Sequence, residues 1–484
     1  MAQVYAAGMR NRWLIGGAWS GDHAAEWLEV KDPASDACIT RVPVGGPLQA
    51  TAAVDAAEET LREWRATPSA HRADCLDAAA ELLLKHQSAL AHVMTQECGK
   101  PLTEAVGEVR YSADYFRSAA EQARSLQDES IDSHRPGVRA VAVSEPLGVC
   151  AAITPWNFPL AMLARKAAPA LAAGCTMVAK PAEETPLSAL ALGELLLEAG
   201  VPHGALNVIV GDPEAIAATW LADKRVRKLS FTGSTEVGRL LMRGAADQLI
   251  RCSLELGGHA PFIVLAKADL AAAVQGAMAS KFRNAGQTCI CPNRFLVHQS
   301  LAVEFTAALA MAASELVVGS GLDAATQMGP LINDQAVAKV KAHVHDALQN
   351  GAHLVSGGRT LALSGRPDRF FMPTVLSHCT TDMLCFRQET FGPLAPIMAF
   401  EDIAHAVAIA NATPWGLASY VYGPPAEAER VGRSLECGVV GVNESTPSSA
   451  YAPFGGTKWS GFGREGGRWG VQEYISTKYL AVRD

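Results

Sequence analysis

From Gly148 onward the sequence alternates strictly between strand-like and helix-like segments, and this restricts the fold more than any other feature. "GVCAAIT" reads as a buried strand, "PLAMLARKAAPALAAG" as a helix closed by Gly174, and "TMVAK" as a short strand. "PLSALALGELLLEAG" is a helix between a proline and a glycine. Next come "ALNVIVG", "PEAIAATWLAD", "RKLSFTG" and "STEVGRLLMRGA", in the same strand–helix order. Strands separated by helices specify a parallel, doubly wound α/β sheet, because a parallel neighbour needs a crossover long enough to hold a helix. Ligands of such sheets lie beyond the C-terminal ends of the strands. The loops "TPWNFP", "KPAEETP", "VGDPE" and "FTGSTEVG" all fall there, so topology predicts that they share one face.

Upstream, "AAVDAAEETLREW" and "HRADCLDAAAELLLKHQSALAHVM" carry apolar residues at helical spacing, and the first part of the chain reads as mostly helical. "GVRAVAVSEPLGV" alternates with period two and reads as strands that leave the main body and return. A second strand–helix region runs from about Ala260 to Gly441, with "APFIVLA", "RFLVH", "HLVSGG" and "VVGVN" as its best strands. The tail "VQEYISTKYLAVRD" reads as a last helical turn followed by a strand.

With 49% hydrophobic and 19% charged residues over 484 positions, the chain has ample material for a large core. Its net charge of -8 argues against general nucleic-acid binding. The N-terminal segment lacks the apolar run of an export leader, and no segment is long and apolar enough to span a membrane, so a cytoplasmic location is expected. Eleven cysteines without framework spacing then read as reduced thiols.

Several short motifs carry chemistry. In "FTGSTEVG", Gly233 permits a tight turn and Ser234 opens a helix whose free N–H groups attract an anion; by itself the motif is equally a good helix cap. In "KPAEETP", Lys180 and Glu183 follow a strand on the same face, where an acidic side chain accepts from ribose hydroxyls and repels a 2'-phosphate; the alternative is a solvated loop. Glu255 in "LELGGHAP" lies among apolar neighbours that raise a carboxyl pKa toward that of a general base, or it pairs with a cation. "FRNAGQTCICPNR" holds Cys289 and Cys291, and a thiolate there could attack a carbonyl while an amide such as Asn157 holds the oxyanion. A metal clip would need further ligands, and no second Cys/His pair has matching spacing.

Together "TPWNFP", "KPAEETP", "FTGSTEVG", "LELGGHAP", "GQTC", "ETFGP" and "PFGGTKWSGFGREGG" resemble the aldehyde dehydrogenase superfamily, in the family's order and over nearly the whole chain. The resemblance implies a Rossmann-type NAD domain (residues 1–123 and 147–255), an α/β catalytic domain (256–440) and a small β-flap for oligomerisation (124–146 and 471–484). Residues 441–470 would link them at the active site, and the assembly would be a homodimer or homotetramer. Cys289 would be the nucleophile, Glu255 the base, and Asn157 with the Cys289 N–H the oxyanion hole. Lys166 and Glu465 match a proton path behind the base. Trp156, Lys180, Glu183, Gly211, Gly233 and Ser234 would hold the adenosine and pyrophosphate, and Leu256, Glu389 and Phe391 the nicotinamide ribose and ring, with NAD favoured over NADP. The implied reaction is attack of the thiolate on an aldehyde, hydride transfer to the dinucleotide, and hydrolysis of the resulting thioester. Glu255 favours hydrolysis over transfer to CoA.

Within the superfamily, "SKFRNAGQTCICPNR" and "GPLINDQAVAKV" look most like succinate-semialdehyde dehydrogenases. That likeness implies that Arg165, Arg283 and Ser448 hold a substrate carboxylate, unless the arginines simply lie on helix surfaces. Ser445 and Pro447 depart from the usual loop before that serine, which leaves glutarate semialdehyde or another small aldehyde open. Some relatives form a reversible disulfide at the positions of Cys289 and Cys291; here Pro292 stiffens the loop that would have to bend. A non-catalytic relative and an esterase are the readings from other classes.

Overall fold

The computed structural model describes residues 11–483. The reading that no export leader is present rests partly on residues 1–10, which lie outside them.

An eight-stranded sheet carries its parallel members in the order Leu206–Val208, Thr176–Lys180, Val149–Ile153, Val226–Thr232 and Arg251–Glu255. The chain thus winds outward from Val149–Ile153 in one direction, then returns to wind in the other. The switch lies between Val149–Ile153 and Val226–Thr232, and such a point opens a crevice at the strand ends. The loops leaving those two strands begin at Thr154 and Gly233. All thirteen residues of helix Ala161–Ala173 are buried, and it stops at Gly174, whose φ of 89° lets its N–H close on Ala170 and Leu171.

A seven-stranded sheet forms the second body, in the order His353–Ser356, Thr374–Ser377, Leu394–Phe400, Pro292–His298, Ala260–Val264, Ala418–Tyr422 and Val439–Val442. The chain crosses between the sheets in only a few residues, from Glu255 at the end of one strand to Ala260 at the start of the next. A third, three-stranded sheet pairs Ile475–Arg483 with Val138–Pro146, and Val138–Pro146 with Glu129–Ile131. Val138–Pro146 falls in the stretch read as alternating strands and Ile475–Arg483 in the tail read as a strand, whereas the sequence reading does not mark Glu129–Ile131.

The sequence reading misses strands at the N-terminal end and, in the second sheet, Thr374–Ser377, Leu394–Phe400 and Ala418–Tyr422. The first part is not only helical: Trp13–Ile15 and Ala18–Ser20 extend the edge of the first sheet, and Trp27–Lys31 pairs with Cys38–Pro43. These strands are too short for periodicity to register. Leu394–Phe400 holds Pro396, a residue that in a strand favours edges, yet the strand is internal, between Thr374–Ser377 and Pro292–His298. Among the described residues no helix is long and apolar enough to cross a membrane.

Candidate active site

The loop before Cys289 is left-handed over three consecutive residues, with φ of 48° at Asn284, 55° at Ala285 and 74° at Gly286. Left-handed non-glycine residues cost roughly 1–3 kcal/mol each, so the surroundings must impose the turn. Glu104 accepts from the Asn284 N–H at 2.8 Å, and Asn284 Nδ2 donates to the Asn157 carbonyl at 3.0 Å. A Cβ on Gly286 would lie 2.2 Å from the Gly392 carbonyl oxygen, and one on Gly258 would lie 2.2 Å from that of Cys289. "GQTC", "TFGP" and "LELGG" therefore interlock backbone to backbone, which explains glycine at each contact.

Asn157 is anchored from behind. Lys100, 1% exposed, donates to the Asn157 carbonyl at 2.7 Å and to Glu108 at 2.5 Å. Glu108 in turn accepts from the Leu160 and Ala161 N–H groups, each at 3.1 Å, at the start of helix Ala161–Ala173. One buried ion pair thus fixes both the Asn157 loop and the helix bearing Arg165 and Lys166. The Asn157 amide donates one N–H to the Gln287 carbonyl at 3.0 Å. Sequence reading missed Lys100 and Glu108. The available signal was an acid within the apolar stripe of helix Leu102–Ser125, where Glu108 sits between buried Ala105 and Val109.

Glu255 ends its strand buried, and among the described residues neither carboxylate oxygen has a hydrogen-bond partner. Burial, and then the neighbouring Glu465 charge, push its carboxyl well above the usual range, against Arg165, Lys166 and Arg464. Glu465 meets the opposite fate. Lys166 donates to its Oε1 at 2.5 Å and Arg165 Nε contacts its Oε2, and these two cations outweigh burial to hold it below its ordinary value. Two nearby carboxyl groups are thereby split, one kept anionic and one poised to take and release a proton. Gly455 lies against this acid: a Cβ there would come within 2.8 Å of Glu255 Oε1.

Two cavities meet at Cys289 and Met162. The larger, about 340 Å³, is walled by Trp156, Asn157, Gly233, Ser234, Leu256, Glu389 and Phe391. Ser234 caps helix Thr235–Ala246 through the Val237 N–H at 3.2 Å, leaving earlier N–H groups of the first turn for an anion. Glu389 accepts from the Gly258 N–H at 3.0 Å, and burial raises its pKa to about 7. The ring of Phe391, at φ 55°, meets Trp156 edge-on at 5.7 Å. A phosphate-binding helix end, an apolar floor and a carboxyl suited to ribose hydroxyls fit the reactive half of a dinucleotide. Lys180, Glu183 and Gly211 do not line this cavity. Lys180 and Glu183 pair with each other, and a Cβ on Gly211 would lie 2.0 Å from the Gly45 carbonyl oxygen. Lys339, which the sequence reading missed, does line it.

The second cavity, about 310 Å³, is walled by Tyr111, Phe158, Arg165, Arg283, Ser448 and Phe454, among others. Arg165 is not on a helix surface. It is buried, its Cζ lies 4.2 Å from the Phe454 ring centroid, and its Nε faces Glu465. Arg283 is half-buried, stacks over Phe158 at 4.7 Å, and is in no direct ion pair among the described residues. The two arginines are therefore unequal: Arg165 touches its counter-ion Glu465 directly, whereas Arg283 feels the charge of Glu104 across the same cavity without a direct ion pair. Burial pushes the Cys289 thiol up to about 12, with Arg165 pulling the other way.

Cys291 is buried beside Lys281, whose Nζ lies 3.2 Å from its sulfur, and both cysteines are free thiols. Pairing with Cys289 would require Cys291 to leave that cation. Among the described residues no cluster of three or more metal-ligating side chains occurs.

The sequence matches the model of the aldehyde dehydrogenase family over residues 19–480. The chain belongs to the aldehyde dehydrogenase family. Membership makes it an NAD(P)-dependent oxidoreductase. It is 47% identical to an NADP(+) succinate-semialdehyde dehydrogenase of Escherichia coli, over 98% of each chain. It is 46% identical to a glutarate-semialdehyde dehydrogenase of Pseudomonas aeruginosa, again over 98% of each. A solved betaine aldehyde dehydrogenase of Staphylococcus aureus in complex with NAD+ superposes with a TM-score of 0.96 at 34% identity, covering 100% of this chain and 97% of that one.

Proposed function

We propose that this aldehyde dehydrogenase oxidises a small acidic semialdehyde, succinate semialdehyde to succinate, with NAD as the preferred dinucleotide. The observation that carries this is Arg283, in no direct ion pair among the described residues, lining with Ser448 the cavity whose wall includes Cys289. Glutarate semialdehyde is the alternative, because Thr446, from the loop with Ser445 and Pro447, also lines that cavity.

Cys289 attacks the aldehyde carbon as its thiolate, giving a thiohemiacetal whose oxyanion sits by Asn157 and the Cys289 N–H. When bound, the dinucleotide supplies the hydride acceptor, and its cavity opens on the same sulfur. Glu255 takes a proton from the water that opens the thioester, and Lys166 with Glu465 carries that proton away. Glu183 favours NAD by repelling a 2'-phosphate, while its pairing with Lys180 tempers that repulsion. Lys180, Glu183 and Gly211 would serve the adenosine end, outside the enclosed cavity. Residues 1–123 with 147–255 act as the dinucleotide domain, 256–440 as the catalytic domain, 441–470 as the link, and 124–146 with 471–484 as the flap. The outer edge of Ile475–Arg483, unpaired among the described residues, calls for a second copy of the chain, so the working form is a homo-oligomer, located in the cytoplasm.

Reduced-dinucleotide formation from succinate semialdehyde, glutarate semialdehyde and an uncharged aldehyde of similar length, each with NAD and NADP, tests this. The expected result is a kcat/KM at least about tenfold higher for an acidic aldehyde, roughly 1.4 kcal/mol of discrimination. Equal values for the uncharged aldehyde would end the substrate assignment.

A further inference from the structure

Behind Ser448 runs a chain of hydroxyl groups that the reaction as described does not use. Ser448 Oγ lies 2.5 Å from Tyr111 Oη, and Tyr111 Oη lies 2.8 Å from Tyr115 Oη. The two tyrosines sit one turn apart on helix Leu102–Ser125, their rings edge to face at 4.9 Å. Tyr111 and Ser448 line the cavity, whereas Tyr115 does not and is 2% exposed.

Proton direction along this chain follows from burial. A buried hydroxyl must place its proton on an acceptor, and among the described residues Tyr115 has one neighbour to offer, the Tyr111 oxygen. Tyr115 therefore donates to Tyr111. Tyr111, having accepted there, has its own proton to offer Ser448 Oγ, the other oxygen within hydrogen-bond distance. Ser448 is left as an acceptor on that side, and its proton turns toward the cavity.

We infer that Tyr115 and Tyr111 are positioning residues that make Ser448 an obligate hydrogen-bond donor, so that the cavity selects aldehydes ending in an acceptor-only anion. This rests on the proposed reading that the Arg283–Ser448 end takes the anionic group. A carboxylate or a sulfonate has no proton to offer and matches such a donor. A neutral amide or hydroxyl end can donate and gains less from it.

The test is the ratio of kcat/KM for succinate semialdehyde to that for an uncharged aldehyde of equal length. It is measured on the full-length enzyme, on Tyr115→Phe and Tyr111→Phe, and on each of these combined with Ser448→Ala. Thermal unfolding checks that the variants fold. Each tyrosine variant is expected to lower the ratio about three- to tenfold through KM for the acidic aldehyde, and Tyr115→Phe to leave the uncharged aldehyde little changed. In the Ser448→Ala background neither tyrosine change should lower the ratio further. A wild-type ratio near one would overturn the substrate reading and this inference with it. A high wild-type ratio kept by both tyrosine variants, or lowered equally with and without Ser448, would overturn the inference alone. Tyr115→Phe is the decisive variant, because its hydroxyl lies outside the cavity lining and acts only through Tyr111.

Discussion

The two cavities that meet at Cys289 are built by different means. The dinucleotide side is made largely of backbone at strand ends: Trp156 and Asn157 follow one strand at the switch point, and Gly233 and Ser234 follow its neighbour. The acid side is made of side chains from separate elements, with Tyr111 from one helix, Arg165 from another, Arg283 from the turn before Cys289, and Ser448 from a late loop. A winding pattern fixes the first. Only the packing of distant elements fixes the second. Backbone sites are shared across a fold, whereas side-chain sites set what one chain prefers.

The largest effect that would separate the two sides falls on Glu255, which belongs to neither cavity's lining. Glu255→Gln is expected to lower steady-state turnover about 10²–10⁴-fold while leaving the first hydride transfer intact. Rapid mixing should then show a burst of reduced dinucleotide, and absence of a burst would mean that Glu255 is needed before the thioester forms. In the wild type, turnover should rise with pH through the raised Glu255 value, because the base works deprotonated. Stability should move the other way. The folded state keeps a proton that the unfolded chain has released, so stability falls as pH rises from the ordinary carboxyl value through the folded one. Glu255→Gln should flatten that fall in a series of thermal melts.

Next in size is the shared anchor. Lys100→Met leaves Glu108 buried without its counter-ion and should cost about 3–5 kcal/mol of stability, read by denaturant unfolding. It should weaken both sides of the site together, since Asn157 and helix Ala161–Ala173 hang from the same pair. A change confined to one substrate would show that the anchor serves only the acid side.

The smallest effect sharpens the comparison most. Arg283→Ala should lower kcat/KM for succinate semialdehyde about 10- to 150-fold, as expected for a lost charged hydrogen bond of roughly 1.5–3 kcal/mol. The KM for NAD should stay fixed. Because Arg165 already neutralises Glu465, substitution there should instead disturb the Glu255 pH profile.

Much of the dinucleotide side was legible in the residues. Glycines at Gly233, Gly258 and Gly286 mark places where backbone meets side chain or backbone, and each motif names its own loop. The acid side was legible only through family likeness. Arg165 alone could not be told from a surface residue, because its helix is buried on every face and no amphipathic stripe marks a direction. Lys100, Glu108, Tyr111 and Tyr115 gave no pattern beyond polar residues in apolar company. Short strands such as Trp13–Ile15 were invisible because three residues cannot show a period.

The sequence by itself determined the winding of the first sheet, the face on which its loops gather, and the family, since these depend on local periodicity and on glycines that tolerate close backbone approach. Tertiary structure decided the charges: that the Glu465 carboxyl is held below its ordinary range and that of Glu255 is pushed well above it, that Arg165 touches Glu465 while Arg283 is in no direct ion pair among the described residues, and that Ser448 and Tyr111 share a hydrogen bond. A buried group's proton is set by the groups that surround it in space, and here those come from positions hundreds of residues apart, such as Lys166 and Glu465.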